Sequence, residues 1–180
     1  MKTWIALLRG INVGGKNILA MADLRSSLEG LGLSNVRSYI QSGNVVFDSK
    51  AKTAVPLLEK ISKAIEAHHG LRPQLLLLSH EELLAAVAAN PFTEAVAEPS
   101  TLHLFFLATA ASNPDMAALA TLKTASEQFE LIENVFYLHA PDGIGRSKLA
   151  GKVEKHLGVV ATARNYRTVA KLVALANIND

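Results

Sequence analysis

Three runs in this chain are apolar at consecutive positions: Trp4-Ile5-Ala6-Leu7-Leu8, Leu75 to Leu78, and Leu104-Phe105-Phe106-Leu107. Neighbouring side chains on a strand point to opposite faces, so a strand without polar positions has no face to give to water. The runs therefore predict sheets covered on both faces. Helices can cover one face of each sheet; the other is expected to meet the second half of the chain or another copy of it. An open sheet surface that stacks RNA bases is not expected, and Phe47, the one aromatic residue on the strand that would carry such stacking, reads as core.

Around these runs the periodicity changes in a repeating order. Residues 4–9 predict a strand, and Met21, Leu24, Leu28 and Leu31 predict a helix over 21–31 that stops at Gly32. Residues 36–40 and 45–48 predict a hairpin about Ser42-Gly43-Asn44. A helix over 53–69 follows, with Val55, Leu58, Ile61 and Ile65 inward and Gly70 at its end, then a strand over 74–78. The order βαββαβ is the ferredoxin-like plan. A helix over 81–89 stops at Asn90-Pro91-Phe92, and the plan then partly recurs. Its parts are a strand over 101–108, a helix over 114–126, a hairpin of 129–132 with 135–139, and helices over 147–157 and 168–176. The expected fold class is α+β with two related subdomains: a ferredoxin-like βαββαβ over 1–79, and βαββα with an extra helix over 80–180.

Composition narrows the chemistry. Cysteine is absent, which removes disulfides, zinc–thiolate sites, iron–sulfur clusters and cysteine nucleophiles. Six histidines show no metal-ligand spacing, and the carboxylates are scattered, so no metal site is expected. Arg9 ends the first apolar run too early for a signal-peptide core, and no apolar stretch reaches the ~18 residues of a membrane span. A cytoplasmic protein without a membrane partner is the expectation. The charge is uneven: seven basic residues between Arg146 and Lys171 face one acid, Glu154. This favours an anionic partner, against the plain alternative of solvated helix faces.

Two strand-end loops carry polar residues that the fold does not obviously need: Arg9-Gly10-Ile11-Asn12-Val13-Gly14-Gly15-Lys16-Asn17 and Gln41-Ser42-Gly43-Asn44. Glycine beside Asn, Ser and Lys lets backbone N–H groups converge on an anion. The first loop comes within one residue of the G-x-x-x-x-G-K-[ST] phosphate loop, but Asn17 stands where a hydroxyl would hold magnesium, and the helix begins later. A looser anion cradle is the reading, its alternative a tight connection whose glycines serve the turn. The second loop is first of all a hairpin turn, and no base or elbow motif makes Ser42 a nucleophile. Farther on, Ser147 is expected to cap a helix and Thr168 to cap the last one. Lys148, Arg164 and Asn165 are not explained by capping.

With these residues the chain resembles a bacterial family, the domain of unknown function 1697 family, nearly end to end. The resemblance rests on Leu7 to Lys16, Met21 with Leu24-Arg25, Tyr39 to Phe47, Asn90-Pro91-Phe92, Ser147-Lys148-Leu149 and Thr162 to Thr168. Ala20 stands where the family often has Pro, and Tyr166 where it often has Trp. The resemblance implies an α+β fold of two related subdomains and supplies no activity, substrate or cofactor.

The expected ligand is a small anionic, phosphorylated molecule held where the two halves meet. Arg9, Lys16, Lys148 and Arg164 would supply charge. Asn12, Gln41, Ser42, Asn44 and Asn165 would supply oriented hydrogen bonds, with Gly14, Gly15, Gly43 and Ser147 shaping the backbone. No general base can be named, so no reaction or cofactor is assigned. Two other classes stay open: a nucleic-acid-binding protein using the basic C-terminal segment, and a scaffold or oligomer without a ligand.

Overall fold

The computed structural model describes residues 1–179. In its first half, β1 (Lys2–Arg9), α1 (Met21–Gly30), β2 (Ser34–Tyr39), β3 (Asn44–Ser49), α2 (Ala54–His69) and β4 (Gln74–Ser79) follow the predicted βαββαβ order. They form a four-stranded sheet, β2-β3-β1-β4, with every pairing antiparallel. Trp4, Ala6, Leu8, Val45, Phe47 and Leu77 share one face of it and pack with Leu24 and Leu28 of α1 and Ile61 and Ile65 of α2. Ile5, Leu7 and Val46 point from the opposite face and are also fully buried. Both faces of the central strands are therefore covered, as the unbroken apolar runs require.

Local chemistry sets the helix ends. α1 starts without a side-chain cap; Ala20 is extended, yet its carbonyl accepts from Leu24 N at 3.0 Å and closes the first turn. α2 stops at Gly70, whose φ of +65° is the left-handed geometry that glycine adopts without strain. α3 (His80–Ala88) opens with a reciprocal capping box. Glu82 N donates to Ser79 Oγ at 3.2 Å, and Ser79 N donates to Glu82 Oε2 at 2.7 Å.

In the second half, β5 (Leu102–Leu107), α4 (Met116–Leu122), β6 (Gln128–Ile132), β7 (Val135–His139), α5 (Val153–Leu157) and β8 (Ala161–Asn165) repeat the plan. The sheet order β6-β7-β5-β8 corresponds strand for strand to that of the first half. The expected βαββα is thus completed by β8, a strand where the sequence suggested only a polar segment. Phe105, Phe136, Leu138, Ala161 and Ala163 pack on one sheet face with Leu119, Val153 and Leu157.

Two expected helices are shorter than their periodicity suggested. α4 begins after Asp115, whose Oδ1 accepts from Ala118 N at 2.9 Å, and ends where Lys123 turns extended. The expected helix over 147–157 is reduced to a short 3-10 turn at Ala150–Lys152 followed by α5, with a separate 3-10 turn at Ile144–Arg146 before it. Gly151 weakens helix there, costing roughly 1 kcal/mol relative to Ala in a helix interior. α6 (Tyr166–Ala176) starts earlier than expected, because Asn165 Oδ1 rather than Thr168 caps it, accepting from Thr168 N at 3.0 Å.

The chain divides into two compact units, Met1–Ala85 with residues 170–179, and Ala86–Val169. The sequence expected one cut after residue 79. The cut instead falls within α3, and the C-terminal part of α6 belongs with the first unit.

Candidate functional site

Nine of the candidate residues lie in the first unit and four in the second. In the first, Gly10 (φ +79°) turns the chain as it leaves β1. Val13 and Lys16 then pair as an isolated antiparallel bridge, Lys16 N donating to Val13 O at 3.0 Å. Gly14 and Gly15 between them have φ of +57° and +73°, the two positive values of a two-residue reversal. A second rung, Asn12 N to Asn17 O at 3.1 Å, and Asn17 Nδ2 to Gly10 O at 2.8 Å hold the base of this small finger. The two central glycines are thus accounted for by the turn. Lys16 stands exposed at its end, and no hydrogen bond or ion pair engages its ammonium among the described residues.

Asn12 ties the finger to the second loop. Its Oδ1 accepts from Leu19 N at 2.8 Å, while its Nδ2 donates to Leu19 O and to Gln41 O, each at 2.8 Å. Both amide protons are taken, so Asn12 positions the loops instead of presenting donors to a ligand. Asn44 does the same one layer down: fully buried, it donates to Tyr39 O at 3.2 Å and Ser42 Oγ at 2.8 Å. Gly43 is fixed by geometry, with φ of +77° and its carbonyl accepting from Leu8 N at 2.7 Å. A Cβ there would lie 2.6 Å from Leu8 Cβ, so no other residue fits without a backbone shift. Gln41 and Ser42 are exposed beside the finger, and no side chain or backbone group engages the Gln41 carboxamide among the described residues.

Sequence reasoning passed over Ile40. It has φ of +49°, an unfavourable conformation for a β-branched side chain, and it is 51% exposed. Strain of this kind persists only where the surroundings impose it. Here the Asn12 bond to Gln41 and the Asn44 bond to Tyr39 hold the residues on either side of it.

The electrostatics of the two loops are one-signed. No acidic residue occurs in 1–22 or in 34–47. Arg9, at the exposed end of β1, donates through Nη1 to Gln74 Oε1 at 3.2 Å, its register partner on β4. The phosphate-loop geometry is absent: α1 begins at Met21, so Lys16 does not open a helix. Phe47 is fully buried in the first core, as expected.

In the second unit, Ser147 accepts from Ala150 N at 3.0 Å and Asn165 caps α6, so both have backbone roles. Lys148 is exposed. Arg164 stands opposite Leu104 on β8 and donates through Nη1 to Ala163 O at 2.9 Å; burial pushes its guanidinium down to about 10. Among the described residues, no three His, Asp or Glu side chains group to hold a metal ion, and no helix is long and apolar enough to cross a membrane.

Comparison with solved structures finds the conserved bacterial protein SP0830 from Streptococcus pneumoniae, 27% identical over 98% of this chain and 99% of that one, with a TM-score of 0.75. No curated protein matches the chain. The model of a family described as a protein of unknown function (DUF1697) matches residues 1–137, which takes in both loops of the first unit and stops before Ser147. With its two loops, its paired βαββαβ units and that match over most of its length, the chain belongs to the DUF1697 family.

Proposed function

We propose that the paired loops of the first unit bind a small anionic, phosphorylated molecule. The observation that carries this reading is the Asn12 clip, which fixes the Gly14-Gly15 finger beside Gln41-Ser42. A lysine and a carboxamide without internal partners are thereby held on a prepared platform. Preorganisation lowers the entropic cost of binding, and the two loops themselves carry no acid to compensate the Lys16 charge. Arg9 adds a second cation at the end of β1, and Gln41 and Ser42 supply hydrogen bonds. In the second unit the exposed Lys148 and the Arg164 guanidinium are assigned to the same class of ligand. No residue is assigned to a chemical step.

The test is a thermal-shift and calorimetric titration with inorganic phosphate, pyrophosphate and a panel of sugar phosphates and nucleotides. A ligand at ~100 times its Kd should stabilise the protein by about 2.7 kcal/mol. Lys16→Ala should abolish the shift while changing stability by at most ~0.5 kcal/mol, as exposed substitutions do. Absence of a shift with every compound, or wild-type affinity in Lys16→Ala, overturns the reading.

A second reading has its own support. Arg146, Lys148, Lys152, Lys155 and Arg167 of the second unit are all exposed. A surface of this kind suits nucleic-acid phosphates, and binding through it falls steeply with salt. Titration of short RNA and DNA at two salt concentrations separates it from the small-ligand site.

A further inference from the structure

A cavity of about 300 Å³ opens within the second unit, lined by Pro91, Phe92, Thr93, Glu94, Gln128 and His139 among others. Its lining includes none of the residues assigned to anion binding, and it takes in a motif that the anion-binding reading leaves idle, Asn90-Pro91-Phe92. Asn90 is buried, and its side chain shapes this corner. Its Oδ1 accepts from Phe92 N at 3.1 Å, and its Nδ2 donates to Phe92 O at 3.3 Å. The Phe92 backbone is thereby fixed, and its ring lies 6.3 Å from that of His139, tilted by 36°. His139 is paired with Gln128 across β6 and β7, so both side chains leave the same face of the sheet at its end. Glu94 comes from the 3-10 turn Thr93–Ala97.

The chemistry of this lining is acidic and aromatic. Glu94 is its one carboxylate, no Lys or Arg lines it, and no hydrogen bond or ion pair engages the Glu94 or Gln128 side chain among the described residues. A carboxylate, an amide oxygen and the negative face of a phenyl ring are a complementary set for a positive charge with N–H donors. The volume stands at the lower end of the range for small-molecule sites. We infer that this cavity is a receptor for a small organic cation, a primary amine or a guanidinium group. The cation sits against the Phe92 ring, with its N–H groups donating to Glu94 and to Gln128 Oε1.

The experiment titrates the whole protein with methylguanidinium and propylammonium chlorides, following backbone amide NMR signals of residues 92–95, 128 and 139. The uncharged N-methylurea, of the same planar shape as methylguanidinium, is the control. Both cations should shift these signals saturably at millimolar concentration and N-methylurea should not. Glu94→Gln, an isosteric change at an exposed position, should weaken binding about tenfold or more. Phe92→Leu, which keeps an apolar body and removes the ring quadrupole, should weaken it about threefold or more. If Phe92→Leu disturbs the fold, Glu94→Gln carries the test alone. Equal response to N-methylurea, no saturable shift with either cation, or unchanged affinity in Glu94→Gln overturns the assignment.

Discussion

Asn12 and Lys16 look alike in the sequence, two polar residues in one glycine-rich loop, and the folded chain separates them completely. Asn12 satisfies Leu19 N, Leu19 O and Gln41 O with one carboxamide. Replacing it by Ala leaves three backbone groups without partners in a partly buried corner, where each such loss costs ~1–3 kcal/mol before water and relaxation repair part of it. Asn12→Ala is therefore expected to lower stability by at least ~1 kcal/mol, read as a shift in the urea midpoint, and to abolish anion binding as well. Lys16→Ala should abolish binding alone. If Asn12→Ala is as stable as the parent, the clip does not hold the loops together. Gly43 was legible as a turn glycine. Its contact with Leu8 Cβ was not, because residues 35 positions apart meet only through the β1–β3 pairing.

Among the elements, β8 is the one that sequence reading missed. Ala161-Thr162-Ala163-Arg164-Asn165 does alternate, with Ala161 and Ala163 packed in the second core and Thr162 and Arg164 on the other face. Its small and polar residues carry little hydrophobic signal, and an edge strand paired only with β5 does not need more. The opposite case is 147–157, where the Ser147 cap and the Gly158 stop predict one helix and Gly151 leaves a 3-10 turn and the short α5. On β5 itself, His103 is buried, and burial lowers its pKa below 6.5, with the Thr101 backbone acting in the opposite direction. In the unfolded chain the imidazole takes up a proton near its ordinary value, whereas in the fold it resists doing so. The stability tied to neutral His103 is thus fully present above about pH 6.5 and is lost as pH falls through the lower folded value. Urea midpoints at about pH 7.5 and about pH 5 should therefore differ less for His103→Gln than for the parent. An identical acid loss in both would show that other groups govern it.

For the molecule as a whole, the repeated strand order in the two sheets is the main architectural result, and it has a consequence at the C-terminus. Val169, Leu172 and Ala176 are fully buried at helical spacing along α6, and α6 from Ala170 to its end belongs with the first unit. The first unit is therefore discontinuous in sequence. A chain ended at Val169 loses the burial of Leu172 and Ala176, and one Leu side chain contributes roughly 1.5–3 kcal/mol. The truncated protein should unfold at lower urea when followed by fluorescence of Trp4, the single tryptophan, which sits in the core of the first unit. A Trp4 transition unchanged by truncation would mean that α6 stabilises only the second unit.

The α+β class, the ferredoxin-like order of the first half and the burial of both sheet faces follow from the residues alone. Unbroken apolar runs, helical stripes and glycine stops are short-range signals that survive in a linear reading. The clip between the two loops, the strain at Ile40, the pairing of β8 and the acidic aromatic cavity belong to the folded molecule. Each depends on which distant backbone groups a polar side chain meets, and hydrogen bonding is settled by a few tenths of an ångström that no spacing along the chain encodes.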